Sequence, residues 1–166
     1  ATLAFDYPRR APFFRGEPFV LRAESGQQAL DTLRELTAQE PHTRLQYQCS
    51  TFFTNSPFYP IIQQLEFAAG FVADDAPETK LDKLEAVLER STSDVPAVAP
   101  LFSAMLSLPL KRYPPLNVSP QRQKELTIEA LVDQVRGLAR PNPVLMVFED
   151  VHWIDPTTLE VLGHVI

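Results

Sequence analysis

Two adjacent carboxylates, Glu149 and Asp150, are the residues of this chain best placed to do chemistry. They follow directly on an apolar run from Pro143 to Phe148. An uninterrupted apolar run of this length predicts a strand that is buried on both faces, as in a parallel sheet. Open α/β sheets bind ligands at the carboxyl ends of their strands, which is where both acids would lie. One carboxylate can hold Mg²⁺ there while its neighbour orients or deprotonates an attacking water. A core strand that simply ends in two solvated acids is the alternative interpretation.

The residues that follow the acids predict a short loop and then a helix. Asp155 suits the N-cap position, and Pro156 suits the first helical position. The apolar side chains at i, i+3 and i+7 predict a buried helix face made by Leu159, Leu162 and Ile166. Strand, loop and helix together form the β-α unit from which parallel sheets are built.

The elements before the acids complete an α/β pattern. Residues 43–49 alternate, with Leu45, Tyr47 and Cys49 on one face, which predicts a strand. A shorter strand is predicted at Phe19–Leu21. Helices are predicted at 26–39, 59–71, 77–90 and 95–106, and a longer one begins at Ser119-Pro120 and is closed by Gly137 and Pro141. We therefore expect an irregular N-terminal segment at 1–17 and one domain at 18–166, with a parallel sheet and a helical insertion at about 58–118.

Composition excludes several classes of protein. The chain has 166 residues, 45% of them hydrophobic, and a net charge of −6, so we expect a globular domain and no general nucleic-acid partner. Cys49 is the single cysteine, which excludes an intrachain disulfide and fits a reducing, cytoplasmic location. We find no apolar run long enough for a membrane span and no signal-peptide pattern near residue 1.

Five blocks of sequence, in order, resemble one family of proteins. They are Glu40–Ser50, Asn55–Pro60, Arg112–Leu116, Ser119–Lys124 and Val147–Pro156. Together they resemble the AAA-like, STAND-type P-loop ATPase module of bacterial multidomain regulators. Such modules often stand beside class III adenylate or guanylate cyclase domains and are followed by tetratricopeptide repeats. The resemblance implies an incomplete P-loop fold at 18–166 that binds ATP and Mg²⁺ as a regulatory switch between neighbouring domains. It matches Glu149 and Asp150 to the Walker B acids, as catalytic residues and Mg²⁺ ligands, without settling which of them holds the ion.

The phosphate-binding loop of that family is poorly matched. The best alignment places Gly26, Gln27 and Gln28 where the family has glycine, lysine and a hydroxyl residue, and no lysine occurs before Lys80. An amide cannot supply the charge that a lysine places beside the β- and γ-phosphates. One explanation is a degenerate loop, and the other is a frameshifted start over residues 1–28. The sequence thus predicts an impaired or vestigial ATP-binding regulatory module, or alternatively a non-catalytic scaffold that binds no nucleotide.

Overall fold

The computed structural model describes residues 41–109 and 111–166, and this part of the chain is a mixed α/β structure. It contains two strands and five helices. Their order is β1 (Thr43–Gln48), α1 (Tyr59–Ala69), α2 (Pro77–Leu88), α3 (Val95–Met105), α4 (Pro120–Leu138), β2 (Val144–Glu149) and α5 (Pro156–Val165). A single 3-10 turn, Val151–Trp153, lies between β2 and α5. Each predicted element between residues 43 and 166 is present, and its boundaries are within two residues of those expected.

The two described strands are adjacent and parallel, as the alternation of strands and helices predicted. Their register pairs Thr43 with Val144 and Gln48 with Glu149. Backbone hydrogen bonds extend the pairing at both ends, because Thr43 N donates to Pro143 O and Cys49 N donates to Glu149 O. Four helices intervene between β1 and β2, so the connection is a long crossover of the kind that parallel strands require.

One face of this sheet is covered and the other is more open. Leu45 and Tyr47 point inward and are buried, and the ring of Tyr47 stacks on Phe148 with centroids 4.5 Å apart. The inner face meets α1, α4 and α5, and side chains of the sheet and of these helices line a cavity of about 40 Å³. The prediction that β2 is buried on both faces is wrong for the described residues. Residues 144–148 are only half-buried.

The helices pack in chain order, each against the next. Predicted core faces are confirmed in α2, where Leu81, Leu84 and Leu88 are buried, and in α4, where Ile128 and Leu131 are buried. The last turn of α4 passes very close to the chain that follows α2. A β-carbon added to Gly137 would lie 2.0 Å from the backbone oxygen of Ser91. The close approach of α4 to the backbone at Ser91 therefore requires a glycine at position 137.

Helix α5 turns a different face inward from the one that its leucines predicted. Its buried residues are Thr157, Thr158, Val161 and Val165. Leu159 and Ile166 are each more than half exposed, and Leu162 is half-buried. The spacing of the apolar residues was a misleading guide because the side chain of Thr158 is held inward by a hydrogen bond from its Oγ1 to Asp155 Oδ2. Thr157 and Thr158 also donate their backbone N–H groups to Asp155 Oδ1.

Several sequence predictions lie outside the described residues. These are the irregular segment at 1–17, the strand at Phe19–Leu21, the helix at 26–39 and the degenerate loop at Gly26, Gln27 and Gln28. Within the described ranges, none of the helices combines the length and apolar character that crossing a bilayer would require.

Candidate functional site

Glu149 and Asp150 lie at the carboxyl edge of the sheet, as predicted, and both are exposed. Two glutamines of β1 reach them across the sheet. Gln46 Nε2 donates to Glu149 Oε1 over 2.6 Å, and Gln48 Nε2 donates to Asp150 Oδ2 over 2.9 Å. Each acid is thus held by one amide from the neighbouring strand. This arrangement fixes the direction of each carboxylate without neutralising its charge.

The backbone at Asp150 makes a sharp turn away from the sheet. Asp150 has φ 53° and ψ 40°, which is the left-handed region that aspartate tolerates better than most residues. Its carbonyl oxygen accepts from Trp153 N at 2.9 Å, so the 3-10 turn begins immediately. The turn leaves the Asp150 carboxylate at the rim and exposes His152 and Trp153 beside it. The acids therefore face open space.

The donor set fits a hard divalent cation in part. Among the described residues, the glutamine amides occupy one oxygen of each carboxylate, which leaves the second oxygen of each for another ligand. Mg²⁺ is commonly held by one or two carboxylates together with water and substrate phosphates. No group of three or more His, Cys, Asp or Glu side chains is arranged for a metal within residues 41–109 and 111–166. A cation here would have to share its coordination with an anionic ligand and water.

Asp155 is the most completely bonded carboxylate near this edge. Its side chain is 1% exposed. Oδ1 accepts from Thr157 N, Thr158 N and Phe58 N at distances of 3.1, 2.9 and 3.1 Å, and Oδ2 accepts from Thr158 Oγ1 at 2.5 Å. The predicted helix cap is confirmed. The bond to Phe58 was not predicted, and it ties the loop after β1 to the start of α5.

Cys49 directly follows the last residue of β1, and its side chain is 2% exposed. Burial raises the pKa of its thiol, and the negative charges of Asp155 and Asp150 raise the pKa further. A raised pKa means that the thiol stays protonated at pH values where an ordinary cysteine already ionises. Cys49 is thus a packed and unreactive side chain.

Cys49 is accordingly expected to react with a disulfide reagent such as DTNB at pH 8 more than about tenfold slower than free cysteine. The rate should keep rising above the pH at which free cysteine levels off, because the thiolate forms later in the folded chain. The control is the same chain in concentrated urea, where the thiol should react at the rate of free cysteine. A folded chain that reacts at that free rate would contradict the buried position of Cys49.

Sequence reasoning missed the two glutamines of the site. Gln46 and Gln48 alternate with buried residues on β1, so their exposure could be inferred, but their pairing with the acids depends on the register of two strands about a hundred residues apart. A signal was nevertheless available. Two amides on the outward face of a strand that runs parallel to the acidic strand are suited to bind carboxylates.

No family model matches the chain, and no solved structure matches it. A curated relative from Rhizobium meliloti (strain 1021), described only as an uncharacterized protein, is 28% identical over 153 residues. The alignment covers 90% of this chain but only 15% of that relative. The chain therefore spans only a small share of the length of that relative.

Proposed function

We propose that this chain is part of an ATP-binding regulatory module of the P-loop ATPase type, and that its nucleotide binding is impaired. Glu149 and Asp150 would contribute to a Mg²⁺ site that meets the nucleotide phosphates at the carboxyl edge of the sheet. The observation that carries the proposal is this pair of exposed acids at the end of β2, each oriented by a glutamine of the parallel strand β1.

The order of elements supports the proposal. A parallel strand pair joined by a long helical crossover, with acids at the carboxyl end and an amphipathic helix after them, is the arrangement in which α/β proteins bind nucleotides. The bound ion would neutralise phosphate charge. The chain's own contribution would be to hold two carboxylates in fixed directions and to keep the edge open to solvent.

The proposed setting is a multidomain regulator. The R. meliloti relative is far longer than the region that it shares with this chain. Such a difference in length is expected if the shared region is one module of a multidomain protein. Neighbouring cyclase or tetratricopeptide-repeat domains are the partners that the sequence resemblance implies. The module would pass its nucleotide state to them.

We propose that ATP binds weakly because the positions matched to the family's phosphate-binding loop contain no cationic side chain. Gln27 stands where the family has lysine. Two of the cations on α4, Arg122 and Lys124, are engaged elsewhere: Arg122 pairs with Glu125 and Glu129, and Lys124 pairs with Glu160. Loss of one charge-assisted hydrogen bond removes about 1.5–3 kcal/mol of binding, roughly a ten- to hundredfold change in affinity.

A scaffold that binds no nucleotide is the second candidate, and the same missing lysine favours it. It would keep the fold and the acids but use them only in contacts with other domains. The two candidates make opposite predictions for nucleotide binding.

Titration of the chain with a fluorescent ATP analogue in the presence of Mg²⁺ separates them. We expect binding in the range of about 0.1–1 mM, weakened at least about tenfold by Asp150→Asn and abolished by removing Mg²⁺. Asp74→Asn is the matched control, since it removes the same charge in the loop between α1 and α2, away from the sheet edge. The control should bind as tightly as the unmodified chain. Absence of binding at several millimolar nucleotide would leave only the scaffold.

A further inference from the structure

We infer that Asp155 is a positioning residue that locks the loop after β1 to the loop after β2 and so sets the shape of the carboxyl edge. The bond that does this joins Asp155 Oδ1 to Phe58 N, two residues 97 positions apart in the chain. The inference concerns the fold of the edge itself. Its consequence for nucleotide binding rests on the proposed function.

A helix cap alone does not need this arrangement. Asp94 caps α3 by accepting one bond from Ala97 N at 3.3 Å, and Ser119 caps α4 by accepting one from Arg122 N at 3.2 Å. Both of those caps are exposed. Asp155 instead is buried and accepts a bond from outside its own helix. Burying a carboxylate is unfavourable unless its oxygens are well bonded, so the extra donor has a structural purpose.

The donor of that bond is in an unusual conformation. Phe58 has φ 62° and ψ 13°, a left-handed geometry that is rare for a bulky residue. Its side chain is buried, and its carbonyl oxygen accepts from Ile62 N in the first turn of α1. Strained residues of this kind persist only where their surroundings hold them. Asp155 supplies one of those restraints and thereby fixes where α1 begins.

The two loops that this bond joins carry exposed side chains of the edge. Phe52 and Phe53 lie on the loop after β1, where Phe53 stacks on Tyr59 with centroids 3.9 Å apart. Trp153 lies on the loop after β2, close behind Asp150. Without the bond between Asp155 and Phe58, the two loops could separate. The acids would then remain, but the surface beside them would lose its shape.

Asp155→Ser tests this role, because serine is a good helix cap but its hydroxyl is too short to reach Phe58 N as well. In the full 166-residue chain, we expect unchanged helix content by circular dichroism. Hydrogen exchange over residues 50–62 should become at least tenfold faster. Cys49, the only cysteine, should react at least tenfold faster with DTNB in Asp155→Ser than in Asp155→Asn, which loses the same charge. Asp155→Asn keeps an oxygen for the backbone donors, so hydrogen exchange over residues 50–62 should stay within about threefold of the original rate.

Asp94→Ala is the matched control, since it removes a helix cap that bonds only within its own helix. It should leave exchange at 50–62 and the Cys49 rate unchanged. The inference is overturned if Asp155→Ser leaves both rates as they are, or if Asp94→Ala raises them equally. Should Asp155→Ser unfold the chain, the Asp155→Asn and Thr158→Val variants decide. Both variants keep an oxygen for Phe58 N. Exchange over residues 50–62 at the original rate in both variants supports the lock, and accelerated exchange in either of them overturns it.

The nucleotide titration separates this inference from the proposed function. If the unmodified chain binds no Mg²⁺-nucleotide, the proposed function fails, while the exchange and thiol rates still decide the role of Asp155. If the chain does bind, Asp155→Ser should weaken binding about tenfold and Asp155→Asn should recover it. Equal affinity in Asp155→Ser despite an opened loop would overturn that consequence for nucleotide binding, while the exchange rates would still support the lock.

Discussion

Replacing Phe102 with alanine is expected to lower the free energy of unfolding by about 3–5 kcal/mol. Phe102 lies on α3 and is completely buried, and it is the largest of the fully buried side chains among the described residues. Its removal takes away the apolar area that packs α3 into the core and leaves a cavity that rigid neighbouring helices can only partly fill. A loss of this size is a large share of the stability of a typical small domain.

Urea denaturation followed by circular dichroism measures this effect. Phe67→Ala is the matched control, because Phe67 also lies on a helix but is 87% exposed. It should change the free energy of unfolding by no more than about 0.5 kcal/mol. If the two alanine variants lost stability equally, the assignment of α3 to the core would be wrong.

Gly137→Ala is expected to be the second strongly destabilising change, by about 1–3 kcal/mol. Alanine normally stabilises a helix relative to glycine, but here the new methyl group would lie 2.0 Å from Ser91 O, which is a backbone atom. Either α4 or the chain after α2 must move to make room. The prediction is therefore opposite in sign to the one that helix propensity alone would give.

The contrast with Gly163 makes this test specific. Gly163 lies in α5, and apart from the adjoining backbone of its own helix no described atom lies within 4 Å of an added β-carbon there. Gly163→Ala should raise the free energy of unfolding by about 0.5–1 kcal/mol, as expected for an exposed helix position. Denaturation midpoints that shift in the same direction for both variants would show that the corner between α4 and Ser91 is not tightly packed.

Local patterns in the sequence predicted most of the described fold. The alternation of Leu45, Tyr47 and Cys49 located β1 and its buried face, because side chains on a strand alternate between faces. Asp155-Pro156 located the start of α5 for an equally local reason, since capping acts within one turn of a helix. Predictions that depend on neighbouring residues in sequence were reliable here.

Predictions failed where the answer depended on which element packs against which. Leu159 and Ile166 are apolar, yet Thr157 and Thr158 occupy the inner face of α5, where the hydroxyl of Thr158 donates to the buried carboxylate of Asp155. The apolar composition of β2 predicts burial on both faces, but composition does not tell which elements cover each face of the sheet. The bond from Gln46 to Glu149 depends on strand register, which no local pattern specifies.

For the candidate site, the sequence predicted the position of the two acids but not the residues that form hydrogen bonds at this edge of the sheet. Glu149 and Asp150 were placed at a strand end by the apolar run before them, and that placement is confirmed. Their role in nucleotide binding stays a prediction. The contributions of Gln48 and Phe58 arise only from the folded chain, where residues about a hundred positions apart become neighbours.

The register of β1 against β2 also limits how this region can change in length during evolution. Gln46 and Gln48 donate hydrogen bonds to Glu149 and Asp150 from one face of β1, while Leu45 and Tyr47 are buried on the other face. A shift of the register by one residue, through an insertion or deletion within Thr43–Gln48, would turn the ring of Tyr47 outward toward the acids. The same shift would turn the amides of Gln46 and Gln48 into the core. Changes of two residues would preserve both faces. Natural length variants of this strand should therefore differ by even numbers of residues.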